Sequence, residues 1–299
     1  MPQTPRCPGP GTAAAARPAA RTVSISATPD EEDLLMCTDH APELDPTPTT
    51  PSRRTLFKGA GAAGLLALTG GFTGAAAGLA APAWAAADPA LLTRSPRIRP
   101  RSHWAGTICP VKGRLPVEAP GNVKFLLVHH TYVPGNVYAQ SQVPGMLRGM
   151  YRYHVGPDKL WPDLAYNFLV DKFGGIWEGR AGSLTSPVIP GATGGSQGFS
   201  QLVCFLGNHT SVVPTAQAQA SMISMLAWLA RRYKVNTTPG QRTSFISRGS
   251  NRWPAGTRVT TATIEGHRAM SLTTCPGTAA YRLVRTDFPA AVTRLNQPD

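Results

Sequence analysis

Acidic residues are scarce in this sequence: 16 Asp and Glu stand against 29 Lys and Arg in 299 residues, a formal charge of +13. Such an excess draws a chain to polyanions. The arginines are scattered, however, and no recognised nucleic-acid motif appears, which excludes nucleic acid as the expected partner. Large apolar residues are sparse in the first third, where Ala, Pro, Thr and Gly dominate. That third offers little for a core, so one folded domain is expected. A Rossmann-type glycine fingerprint and internal repeats are also missing.

The apolar run from Gly59 to Ala83 contains no charge and follows the twin arginines of Ser52-Arg53-Arg54-Thr55-Leu56-Phe57-Lys58. This is the layout of a twin-arginine export signal. The run is long enough to span a bilayer, but its Gly and Ala content makes it weakly hydrophobic. Ala83-Trp84-Ala85 or Ala85-Ala86-Ala87 supplies a small-x-small cleavage pattern, so removal is expected, with no stable membrane anchor afterwards. Residues 1–51 form a polar leader with the acidic cluster Asp30-Glu31-Glu32-Asp33, and Met36 is an alternative start. From Asp88 onward 23 basic and 9 acidic residues give 23 − 9 = +14. An exported chain of that charge meets the anionic polymers of a cell wall before it meets DNA.

Of five cysteines, Cys7 and Cys37 lie in the leader, leaving Cys109, Cys204 and Cys275. An odd count in an oxidising compartment suggests one bridge, proposed as Cys109 with Cys204, and one thiolate kept for a metal. The alternative is that Cys204 is an ordinary buried residue within Leu202-Val203-Cys204-Phe205-Leu206.

Residues 88–120 read as an extended basic arm whose Trp104 packs on the domain. Lys124 to His129 is a buried strand ending in polar residues. Val143 to Tyr153 has helical spacing, and Tyr166–Val170 with Gly175–Glu178 reads as a hairpin. Gln201–Leu206 is a further buried strand. Thr215 caps the strongest helix, with Ile223, Leu226, Ala227, Ala230 and Tyr233 on one face. One last helix is expected over 278–295. The fold class is α/β: a mixed central β-sheet covered by helices.

Catalytic zinc commonly takes three protein ligands and leaves a fourth position for water. His267, in Gly266-His267-Arg268, and Cys275, in Thr273-Thr274-Cys275-Pro276-Gly277, lie in a loop-rich segment before the last helix. Alone they are weak signals, equally compatible with a surface His near a buried Cys. Val128-His129-His130-Thr131 at a strand end, Tyr166 on the next strand and Glu178-Gly179-Arg180 closing the hairpin strengthen them.

In that order and spacing, these motifs resemble the peptidoglycan recognition protein and type 2 N-acetylmuramoyl-L-alanine amidase family, from roughly Arg97 to the C-terminus. The resemblance implies a zinc amidase domain over 121–299, with His129, His267 and Cys275 as zinc ligands and His130 as a neighbour. It places Tyr166 and Thr273 beside the reaction as catalytic residues and makes peptidoglycan the substrate. Glu178 is read as structural in preference to a general base, and Arg180 as lining the cleft. The implied reaction is zinc-dependent hydrolysis of the amide joining N-acetylmuramic acid to L-Ala. Two other readings remain: a recognition module that binds without cutting, which Cys275 argues against, and a basic wall protein with a stabilising zinc. The sequence departs from many relatives at Ala192-Thr193-Gly194-Gly195-Ser196-Gln197-Gly198 and at Ala181-Gly182-Ser183, so the preferred stem peptide is not implied.

Overall fold

The computed structural model describes residues 81–298 except Lys112. The expected leader and most of the expected export signal lie outside the described residues. The segment expected to be an extended arm is instead folded onto the domain. Its strand β1 (Ile98–Arg99) and helix α1 (Ser102–Ala105) precede β2 (Phe125–His130) and α2 (Val143–Val155). Then come β3 (Phe168–Val170), β4 (Ile176–Glu178), β5 (Ser200–Phe205) and α3 (Ala216–Tyr233). A hairpin of β6 (Arg242–Ile246) and β7 (Arg258–Ala262) leads to β8 (Ile264–Gly266), α4 (Thr278–Thr286) and α5 (Phe288–Asn296).

Six strands form one sheet in the order β1-β4-β3-β5-β2-β8, and β6 with β7 form a second. Only β3 with β4 and β6 with β7 are antiparallel; the other pairings are parallel. Strands β2 and β5 are buried along their whole length, as expected of a central sheet covered on both faces. Alternation divides their side chains between two cores. Leu126, Val128, Val203 and Phe205 pack with Ile223, Leu226, Val284 and Phe288 of α3, α4 and α5. Phe125, Leu127, Leu202 and Cys204 pack on the other face with Leu147 and Tyr151 of α2 and with Phe245 and Val259 of the hairpin.

Thr215 does cap α3: its Oγ1 accepts from Ala218 N at 3.1 Å. The single last helix is in fact two. Pro289 lacks the N–H that a continuous helix needs there, and the chain restarts at Phe288 with proline in the first turn of α5. The expected Cys109–Cys204 bridge is also corrected. Cys109 is disulfide-bonded, but Cys204 keeps its thiol inside β5, between His129 of β2 and Leu169 of β3. Among the described residues no helix is long and apolar enough to cross a membrane.

Candidate metal centre

Strand alternation separates the two adjacent histidines. His129 shares the α2 face with Phe125 and Leu127, whereas His130 shares the opposite face with Leu126 and Val128. His130 Nδ1 accepts the His209 N–H at 3.1 Å, which commits that ring to the loop after β5. His129 faces His267, with 4.3 Å between ring centroids, and its Nδ1 lies 3.5 Å from Cys275 Sγ.

His267 follows β8 directly, and Gly266 is what allows it there. A Cβ at Gly266 would sit 2.7 Å from Tyr281 and 2.8 Å from Pro276. Arg268 staples the returning loop: its N–H donates to Cys275 O at 2.9 Å, and its guanidinium bonds Thr274 O. Gly277 closes the loop at φ +83, where a Cβ would collide with the His209 backbone. The Gly-His-Arg and Cys-Pro-Gly motifs are therefore one interlocked turn that presents His267 and Cys275 together.

The ligand atoms of His129, His267 and Cys275 all lie within 4.8 Å of one another, and all three residues are buried. Zinc bond lengths to sulfur and nitrogen imply an edge of about 3.5 Å in a tetrahedral site, matching the His129–Cys275 spacing. Both ring nitrogens of His267 are buried without a hydrogen-bond partner among the described residues. A buried imidazole in that condition is costly unless something binds it. The donor set thus fits zinc.

The other expected site residues divide. Tyr166 is fully buried, its ring 5.3 Å from that of His129, so it joins the centre. Thr273 Oγ1 accepts the Cys275 N–H at 3.2 Å, which positions the cysteine and leaves its O–H as a donor. Glu178 does not join. Its carboxylate accepts the N–H groups of Arg101 and Leu184, tying the N-terminal segment to the loop after β4. Arg180 is buried and donates to Leu164 O at 3.0 Å. Burial lowers its pKa to about 10, against the opposing pull of Asp163.

Sequence reasoning missed His154. It continues the buried stripe Val143, Leu147, Tyr151 of α2 by one step, a signal that was available. Its Nδ1 accepts the Ala165 N–H at 3.2 Å, one residue from Tyr166. Burial pushes its pKa down to about 3, with the cations of Lys159 and Arg180 adding to the shift, so the ring is neutral.

The family model described as N-acetylmuramoyl-L-alanine amidase matches residues 119–278, more than half of the chain. The chain belongs to this amidase family. The mouse N-acetylmuramoyl-L-alanine amidase is 31% identical over 193 residues, covering 64% of this chain and 31% of the mouse protein. The human enzyme of the same name is 31% identical over 192 residues, 64% of this chain and 28% of its own length. The chain thus spans about a third of these relatives. Among solved structures, wild-type Drosophila PGRP-LB is 19% identical, with a TM-score of 0.49 over 64% of this chain and 94% of its own. In the amidase family match, the interval includes His129, Tyr166, His267, Thr273 and Cys275.

Proposed function

We propose that this chain is an active, zinc-dependent N-acetylmuramoyl-L-alanine amidase that acts on bacterial peptidoglycan after export by the twin-arginine route. The observation that carries the reading is the buried His129, His267 and Cys275 set, with the unpartnered ring nitrogens of His267. Bound at these residues, zinc supplies the Lewis acidity that polarises an amide carbonyl and makes a water acidic enough to react near neutral pH. Tyr166 offers its hydroxyl to the oxygen of the scissile carbonyl as charge develops there. Thr273 holds the cysteine through its Oγ1 and offers its O–H to the water or the leaving amine. Arg268 and Gly277 keep the ligand loop in register, and His154, neutral, supports the turn that carries Tyr166.

The susceptible bond is the amide between the lactyl group of N-acetylmuramic acid and L-Ala. The test incubates the purified protein with peptidoglycan, with and without a chelator, and identifies the soluble products. Chelator-sensitive release of stem peptides with an N-terminal L-Ala is expected. Sugar-chain fragments, binding without release, or release that a chelator leaves untouched would each overturn the reading.

A further inference from the structure

Away from the metal centre, residues of β6, β7, β8 and α4 line an open surface cavity of about 250 Å³ whose three arginines are exposed. None of His129, Tyr166, His267, Thr273 or Cys275 lines it. Three guanidinium groups, those of Arg242, Arg252 and Arg285, share its lining with one carboxylate, Glu265, a charge of 3 − 1 = +2. Glu265 is already engaged. One oxygen accepts its neighbour's N–H at Gly266 at 2.9 Å, and the other accepts from Arg285 at 2.8 Å.

Arg242 and Arg252 form no ion pair among the described residues, yet both are held in place. Arg242 Nη2 donates to Thr260 O at 2.9 Å. The Arg252 guanidinium lies 5.5 Å from the centre of the Trp253 ring, and the Trp253 Nε1–H is tied to Ala269 O at 2.8 Å. Tyr281 also lines the wall, and its hydroxyl is engaged with Glu265. Two cations anchored beside a carboxylate that is already satisfied leave a pocket short of negative charge.

A planar carboxylate can be met by one guanidinium, as Glu265 Oε2 is by Arg285 Nη1. Arginines converging from separate elements suit an anion with acceptors in several directions. We propose that this cavity is a binding site for an oxyanion of the phosphate class, distinct from the metal centre. On a chain whose residues from Asp88 onward carry +14, its source is a phosphodiester-bearing wall polymer, which would hold the protein at the wall without entering the hydrolytic site.

The test measures binding of inorganic phosphate and of a glycerol phosphate oligomer by calorimetry at fixed ionic strength, with chelator present so that no metal-bound phosphate contributes. Arg242→Gln/Arg252→Gln is compared with Arg282→Gln/Arg294→Gln, which removes the same charge from equally exposed positions outside the cavity. Loss of two charge-assisted contacts is expected to weaken binding by at least about tenfold in the first pair, with no matching loss in the second. Phosphate binding without oligomer binding upholds the site but overturns the polymer as its source. Equal weakening by both pairs, or no saturable binding of either probe, overturns the proposal. Neither readout depends on amide hydrolysis, so its failure and that of the amidase reading are distinguishable.

Discussion

The His154 imidazole stands edge-on to the Tyr166 ring, with 5.9 Å between centroids and 70° between planes, while its Nδ1 accepts the Ala165 N–H. A hydrogen bond accepted at Nδ1 places the proton of a neutral ring on Nε2. The backbone entering Tyr166 is therefore held by an uncharged, fully buried histidine.

That arrangement has a pH signature. The ordinary histidine value is 6.5 and the folded value about 3, so between them the unfolded chain takes up a proton that the folded chain does not. The contribution to stability is complete above pH 6.5 and is lost as the pH falls towards 3, with a slope of up to about 1.4 kcal/mol per pH unit. His154→Gln removes the titration. Urea unfolding across this window is expected to show a shallower loss of stability in the variant, and parallel curves would count against the assignment.

The two strand-end histidines separate by metal content. His267→Ala and His129→Ala are expected to fall from roughly one bound zinc per chain to nearly none, because a three-ligand site rarely survives the loss of one ligand. His130→Ala keeps its metal, since that ring is turned to His209. Elemental analysis of the purified variants reads this directly. Metal lost from His130→Ala and kept by His129→Ala would reverse the assignment.

Tyr166→Phe removes one hydroxyl and leaves the ring in a fully buried position. Removing an oxyanion donor typically costs about 10²- to 10³-fold in kcat, and a loss of that size is expected with the zinc content unchanged. An effect within a few fold would take Tyr166 out of the reaction and leave it as a packing residue against His129.

The buried strands were legible because each leaves a dense local signal, as in the apolar run Phe125–Val128. The metal set was legible only through the order and spacing of several motifs, and the crowding that requires glycine at 266 and 277 is visible in the fold alone. The β6–β7 hairpin was not legible, since Phe245 and Val259 are its only apolar residues in the core, on an otherwise largely polar ribbon. Cys204 misled for a different reason. A thiol in the middle of a covered strand and one available for pairing look alike in sequence, and strand register alone tells them apart. Glu178 and Arg180 are adjacent to Gly179 and look functional, yet their partners are backbone groups that no local pattern announces.

The segment read as a basic arm misled most, because its prolines and arginines mimic a solvated tail. In the fold, Arg101 crosses to Asp163 at 2.7 Å, and the carboxylate is fully buried. The same carboxylate accepts the Ala181 N–H at 2.9 Å, so it clamps the chain between the start of the domain and the loop after β4. Trp104 seals this junction, 1% exposed, with its Nε1–H on Glu178 O at 2.7 Å. Arg101→Ala leaves a buried carboxylate short of its main cation, a change that costs about 3–5 kcal/mol where no other group compensates. Arg180 stands nearby and offsets part of it, which sets the expectation at about 3 kcal/mol by urea denaturation. Because the loop tied to Asp163 also leads back to Tyr166 through the Arg180 N–H on Tyr166 O, activity should fall along with stability. A loss below about 1 kcal/mol, as for an exposed ion pair, would return residues 88–120 to the status of an arm.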